Sequence, residues 1–387
     1  MQVKQIQDLV NDITREKLGE EALLTDDLSN VVDVGDTIAN RMGVENFARV
    51  LPDHIGRMII SNREYDEADG PDIYMDGWEW GSIMEKIKTN SLPVAEEDEM
   101  WELEDGTSYD PNIFTKPDVS AKFYNKYDAF KITYPSVATS RLKSAFDSPS
   151  QLNAFMSMIH NNVSNSLKVK LKGLKLATIS NMIGETIYNE YSSGVYSGSS
   201  GIRAINLLYE YNLSSGESLT AATAVTDPDF IRYACYRMGL VEKRMRDMST
   251  LFNVNGYPKF TSRDKLNAVL LAEFSSAATV FLQSDTFHKE LVALPKAREV
   301  SYWQGSGTSY GFSDTSKVKI TTTGNHTITA GGILGCIYDR EALGVTCIDQ
   351  KVTSQYNGAV DITNSWMHYK AGYFNDFDEN FVVFFVA

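Results

Sequence analysis

The chain has 387 residues, 51 Asp plus Glu against 36 Lys plus Arg, a formal net charge of −15 and 43% hydrophobic residues. A chain this long buries enough surface to need no metal or disulfide staple. Its acidic balance argues against a protein whose affinity comes from neutralising phosphates, which takes clustered Lys and Arg.

Three cysteines, Cys235, Cys336 and Cys347, lack CxxC spacing. They exclude a disulfide framework and a Cys-based zinc site, and they suit a reducing compartment. The opening MQVKQIQDLVNDITREKLGEE has scattered charge and no apolar core, so it does not read as a signal peptide. The longest apolar run, Phe381 to Ala387, has seven residues, against the roughly 20 of a membrane span. The expectation is a soluble protein of two or three domains.

Val3, Ile6, Leu9, Val10 and Ile13 fall at helical spacing, which predicts a short amphipathic helix: a surface helix or a partner-binding arm. Residues 20–40 are acidic and irregular. A second helical stretch covers about Val44 to Ile60, interrupted by Pro52. Residues 78–90, WEWGSIMEKIKTN, read as a strand and residues 121–135 as another, in which Phe130, Ile132 and Tyr134 alternate with Lys131 and Thr133. Between them, Leu92 to Thr115 holds eight acids (Glu96, Glu97, Asp98, Glu99, Glu102, Glu104, Asp105, Asp110) and no Lys or Arg. So long a connection is usually functional or disordered. The segment 70–135 therefore reads as a two-stranded arm with an acidic tip. Such a hairpin is marginal alone and must lean on something, a neighbouring subunit being one candidate.

Pro149 at a first helical position opens the strongest helix, with Leu152, Phe155, Met156, Ile159, Val163, Leu167, Leu171 and Leu174 at helical spacing. It is expected to reach about Lys172, where Gly173 loosens it, for a length of about 30 Å. A Gly/Ser-rich boundary covers 191–201. Asp227 and Pro228 open a helix to about Met248; Leu266 to Leu271 reads as a strand and Glu273 to Phe287 as a helix. Gly305 to Gly311 reads as a flexible loop, Val318 to Thr323 and His326 to Ala330 as a hairpin about Gly324-Asn325. Ile333 to Tyr338 and Val345 to Ile348 are further strands. The apolar end, FVVFFVA, implies a last strand buried in a sheet rather than a frayed terminus. The pattern is α+β, with no internal repeat.

Local chemical motifs are missing. The five histidines (His54, His160, His288, His326, His368) form no HxxxH or HExxH pair. There is no GxxxxGK[ST] and no GxSxG, and Gly305, Gly307 and Gly311 fail the dinucleotide spacing. No catalytic, cofactor-binding or metal residue is marked by the sequence, and the expectation is a protein that is not an enzyme.

The order of parts resembles a known family. DGWEWGSIMEKI (Asp76 to Ile87) is similar to the entry strand of the extended loop in the major capsid proteins of tailed bacteriophages, the Hong Kong-type capsid fold. SAFDSPSQLNAFMSMI (Ser144 to Ile159) looks like the turn into that family's spine helix. GGILGCIYDREALGV (Gly331 to Val345) and DFDENFVVFF (Asp376 to Phe385) are similar to its final strands. The resemblance implies an N-terminal arm over 1–65, an extended loop over 66–140 and a peripheral domain with the spine helix over 141–199. An axial domain over 200–340 and return strands to the peripheral domain over 341–387 complete it.

It also implies the function: a subunit that self-assembles through hexamers and pentamers into an icosahedral or prolate head shell around double-stranded DNA. The arm is too short to hold the cleavable scaffolding region of some relatives, so a separate scaffolding protein and no maturation cleavage are expected. A portal protein is a further expected partner, with packaged DNA held without specific binding and no membrane. The expected location is the virion, assembled in the bacterial host cytoplasm. No enzyme activity and no cofactor are implied.

Within such a shell the acidic tip needs a cationic partner. Lys168, Lys172 and Lys175 fall within about 60° of one another on the spine helix, while Lys170 points elsewhere. The expectation pairs Glu96, Glu97, Asp98 and Glu99 with that patch on an adjacent subunit, Arg244 and Arg246 being second candidates, and makes Trp101 an interface anchor. Two solvated faces would look the same. An encapsulin-like compartment shell, a tail or baseplate protein forming rings or tubes, and a cytoplasmic enzyme with an unmarked site stay open as alternatives. The enzyme predicts a small oligomer with a deep pocket of perturbed titratable groups.

Overall fold

The chain is seen in a computed structural model. It describes residues 84–89, 119–134, 149–191, 198–283, 297–304, 311–322, 325–359 and 362–387, the pairs 137–138 and 307–308, and isolated positions, Tyr196 and points between 10 and 106 among them. The described strands are β1 (Met84–Thr89), β2 (Val119–Tyr124), β3 (Tyr127–Thr133), β4 (Val137–Ala138), β5 (Ala204–Asn206), β6 (Leu266–Leu271), β7 (Ala297–Val300), β8 (Gly307–Thr308), β9 (Gly311–Phe312), β10 (Val318–Thr321), β11 (Thr327–Ala330), β12 (Ile333–Asp339), β13 (Leu343–Asn357), β14 (Ile362–Asn375) and β15 (Phe381–Phe385). The helices are α1 (Pro149–Glu190), α2 (Leu207–Ser215), α3 (Ala221–Ala224), α4 (Pro228–Met245) and α5 (Ala272–Gln283).

The core sits around a five-stranded sheet in the order β5-β15-β12-β6-β7, antiparallel except for its two edge pairs. Every residue of β6, β12 and β15 is buried, which is why these strands are mostly apolar and show no alternation, Asn267 and Asp339 being buried polar exceptions. The apolar stretch Phe381–Phe385 is an interior strand of this sheet, between β5 and β12, as its composition predicts. Its end is gripped by Asn206, whose side chain donates to the Ala387 carbonyl at 2.8 Å and accepts from the Ala387 amide at 3.3 Å. Gly332 lets β12 start there: φ is +70°, and a Cβ would lie 2.0 Å from the Val386 carbonyl oxygen.

A second sheet, β13-β14-β3 with β4 beside β14, is half-buried. Phe130, Ile132 and Tyr134 face inward as their alternation predicts. The segment 121–135, read as one strand, is two: β2 and β3 break at Asn125-Lys126 and join different sheets. β13 runs to Asn357, well past the expected Ile348, because its distal half has polar residues that pair with β14 while facing solvent. β15 does not accompany β13 and β14 as the expected return strand would; it joins the five-stranded sheet.

Helix α1 is longer than expected, 42 residues or about 63 Å. Gly173 does not end it, because an interior glycine costs only about 0.5–1 kcal/mol and the next turns bury Ile179, Met182, Ile183 and Ile187. Gly184, further along, has a packing reason: a Cβ would lie 3.2 Å from Ile320 and Thr322 of the β10–β11 hairpin. His326 of that hairpin stacks on Tyr188 at 3.7 Å between ring centres.

Asp227 caps α4 as predicted, accepting from the Phe230 amide at 2.8 Å. Short β8 and β9 occupy part of the expected Gly305–Gly311 loop. In the N-terminal 60 residues, Val10, Asn11, Thr14 and Arg15 are helical and Val10 is buried. The helix expected over Val44 to Ile60 and the end of the one expected to reach Phe287 lie outside the described residues.

Candidate subunit interface

β1 and β2 pair antiparallel with Lys86 opposite Lys122 and Ile87 opposite Ala121. Alternation puts Met84, Lys86, Lys88, Ser120, Lys122 and Tyr124 on the inner face. The outer face carries Glu85, Ile87, Thr89, Val119, Ala121 and Phe123. This inverts the usual arrangement: lysines point at the body, while Ile87, Val119 and Phe123 are 66%, 49% and 64% exposed.

Like charges directly opposite each other repel, so the lysine pair requires what lies beneath it. That is the turn Asp376–Glu379 between β14 and β15, whose three acids are almost wholly buried. Lys86 Nζ lies 2.9 Å from Asp376 Oδ2 and 2.8 Å from Glu379 Oε1. Lys122 Nζ is 3.0 Å from Asp376 Oδ1 and also pairs with Asp378. Lys88 pairs with Asp378 and lies 4.6 Å from the centre of the Tyr257 ring. Lys259 reaches Glu379 at 3.1 Å from the other side, and Asn255 donates to Asp378.

Burial opposes charge on Asp376, but Lys86 and Lys122 outweigh it and hold its carboxyl below the usual range. Lys86 is raised in turn: burial lowers it, and Asp376 with Glu379 more than compensate. Lys88 is pushed down to about 8 by burial, with Lys122 and Lys259 adding to the effect. Burial and the nearby Asp376 drive the Tyr124 phenol up, so it stays protonated.

Chemically the arrangement is an ionic anchor. Buried ion pairs give little net stability, but removing one partner costs several kcal/mol, so they are good at fixing a geometry. A one-residue slip would swap the two faces of the ribbon, and the lysines forbid it. No group of three or more His, Cys, Asp or Glu among the described residues is placed to hold a metal.

Of the residues singled out from sequence, Trp101 is 79% exposed, whereas Glu96, Glu97, Asp98 and Glu99 lie outside the described residues. Lys168 and Lys172 are exposed on α1 and Lys175 is half-buried. Lys170 pairs with Asp128 of its own chain at 2.9 Å. Arg244 is exposed, and Arg246 lies 3.7 Å from Glu242 one turn back. Sequence reasoning misses the anchor itself, because Lys86 and Lys122 are more than 250 positions from Asp376. The one available signal is apolar residues alternating with Lys on both strands of a hairpin.

The model of the Phi29-like phage major capsid protein family matches residues 10–385. The chain belongs to this family. Solved structures similar to it include the capsid of Staphylococcus phage Andhra (12% identity, 84% of each chain covered, TM-score 0.49). The cyanophage Pam1 capsid is another (12% identity, 79% of this chain and 85% of that one, TM-score 0.43). A third is the capsid of cyanophage P-SCSP1u (12% identity, 80% and 84% covered, TM-score 0.41). No curated protein sequence matches the chain. The protein is therefore a phage major capsid protein, a structural subunit of the virion that forms the capsid shell.

Proposed function

We propose that the β1–β2 hairpin is the arm by which one copy of this capsid protein grips the next. The observation that carries this is the inverted hairpin. Its polar face is consumed by the body, leaving Ile87, Val119 and Phe123 outward with no cover among the described residues. Covering each of them contributes ~1–2 kcal/mol, and a closed shell repeats the contact in every subunit. The acidic segment Glu96 to Asp110 continues from the same hairpin, and Trp101, largely exposed within it, suits an anchor on a neighbour.

On this reading residues 1–65 are an arm, the extended loop expected over 66–140 ends with β2, and α1 with the β13-β14-β3 sheet is the peripheral part. The five-stranded sheet with α2, α4 and α5 is the axial part. The chain acts without catalysis, with a separate scaffolding protein and a portal protein as partners, and surrounds double-stranded DNA without binding it specifically. Assembly takes place in the host cytoplasm. The net charge of −15 supports the loose relation to DNA, since a wall of this sign does not hold phosphates.

The test is negative-stain electron microscopy of concentrated wild type beside Ile87→Ser/Phe123→Ser. Closed shells from wild type and small particles with unchanged circular dichroism from the variant are expected. Normal shells from the variant would overturn the reading.

A further inference from the structure

The loop between α4 and β6 presents a second exposed apolar surface, and its construction is the opposite of a floppy connection. Ser249 and Lys259 exchange backbone hydrogen bonds at 2.9 and 3.0 Å. The Asn253 side chain donates to the Tyr257 carbonyl at 2.6 Å and accepts from its amide at 2.8 Å. Val254 and Asn255 donate their amides to Phe377 O, and Phe252 is buried. The loop is thus pinned to the turn that anchors the hairpin.

Yet it exposes Met248, Leu251 and Phe260, at 45%, 52% and 56%. Met248 and Phe260 occupy facing positions beside the Ser249–Lys259 bridge. Three large apolar side chains on a rigid loop form a pre-organised docking surface.

Its charge setting is unusual for this chain. Residues 243–265 contain six cations (Lys243, Arg244, Arg246, Lys259, Arg263, Lys265) and two acids, Asp247 and Asp264. Arg244, Arg246 and Arg263 are exposed. An apolar knob framed by arginines complements a surface that is apolar first and acidic beyond. The hairpin fits that description, with Ile87, Val119 and Phe123 on its shaft and eight acids between Leu92 and Thr115. Helix α1 fits less well, since among its described residues the one exposed large apolar side chain is Val169, and Lys170 is tied to Asp128.

We infer that the Met248–Phe260 loop, with Arg244 and Arg263, is the receptor for the extended hairpin of a neighbouring copy of this chain. The inference rests on the hairpin being an inter-subunit arm. A contact between two different surfaces of identical chains propagates head to tail, and such contacts close into rings.

Engineered cysteines in assembled shells test it, with Cys347 replaced by Ser. Ile87→Cys with Leu251→Cys is expected to give an inter-subunit disulfide ladder on non-reducing gels, and Ile87→Cys with Val169→Cys none. A ladder from the Val169 pair alone keeps the hairpin as an arm and overturns this receptor. Intact shells without a ladder from either pair overturn this receptor, and the arm is then decided by the Ile87→Ser/Phe123→Ser shells. Should the cysteine variants fail to assemble, charge reversal decides. Arg244→Glu/Arg263→Glu is expected to abolish shells, and adding Glu96→Arg/Glu97→Arg to restore them. Shells unaffected by the arginine reversal, or not restored by the second, overturn the assignment.

Discussion

Asp376→Asn replaces one buried carboxylate by an amide of the same shape, and the surrounding contacts set its cost. Asp376 accepts from Lys86 at 2.9 Å, from Lys122 at 3.0 Å and from the Asp378 amide at 3.2 Å. With the charge gone, two partly buried lysines keep fewer anions than they were folded against. Breaking a buried charge pair on one side costs about 3–5 kcal/mol. The hairpin is the element held by those lysines, so the cost falls on its local opening more than on the five-stranded sheet. Amide hydrogen exchange in Met84–Thr89 and Val119–Tyr124 should accelerate roughly a hundred- to a few-thousand-fold, with little change in β6 or β12. A pH dependence identifies the cause. Because the folded carboxyl is held below its ordinary value, its stabilisation is fully present above the unfolded value of about 3.9. It is lost as pH falls through the folded one. The gap between wild type and variant should hold at neutral pH and close below about pH 4. Equal hairpin exchange in the two proteins at pH 7 would show that something other than this ion cluster holds the arm.

The two helical glycines of α1 should respond in opposite directions to alanine. Gly173→Ala, where the new Cβ meets open space, should stabilise the monomer by about 0.5–1 kcal/mol. Gly184→Ala should destabilise it by about 1–3 kcal/mol as the β10–β11 hairpin is pushed off, both read by urea unfolding. Asn206→Ala removes the cap of α2 and both bonds to Ala387. It should cost about 2–3 kcal/mol in the same assay. Met248→Ser/Leu251→Ser/Phe260→Ser should leave monomer unfolding within about 0.5 kcal/mol of wild type, as exposed substitutions do, while shells disappear from electron micrographs.

Much of the fold is legible in the sequence because local signals agree with global placement. The Asp227-Pro228 cap, the alternation of Phe130 and Ile132, and the apolar run Phe381–Val386 each have one physical reading. The hidden parts are those that local pattern does not encode. Gly173 looks like a helix end until Ile179, Met182 and Ile183 are known to pack beyond it. The break at Asn125-Lys126 carries no Gly or Pro and is set by two sheets competing for one segment. β14 mixes Trp366, Met367 and Tyr369 with polar neighbours and gives no clear period on its own. Its pattern becomes sensible beside β13 and β3. The acidic segment Leu92 to Thr115 is the obvious charge feature of the sequence, whereas the anchor joins lysines and acids that look unexceptional until the chain brings them together.

The form of that anchor bears on why this subunit can belong to a shell at all. An arm held to its own body by apolar burial would have no apolar face left for a neighbour, and an arm held by nothing would lose its entropy on every contact. Here four lysines, Lys86, Lys88, Lys122 and Lys259, are set against Asp376, Asp378 and Glu379. They orient the ribbon at small net gain in stability and leave Ile87, Val119 and Phe123 available. Pre-organisation lowers the entropy of docking without consuming the surface that docks. Neutralising the anchor and removing the apolar face should therefore both impair assembly, but differently. Asp376→Asn frees the arm while keeping its contacts, so it should assemble at higher subunit concentration. Ile87→Ser/Phe123→Ser keeps the arm in place without its contacts, so concentration should not rescue it. Light scattering across a concentration series separates the two, and rescue of both variants alike would show that orientation and contact are not divided between the two faces of this ribbon.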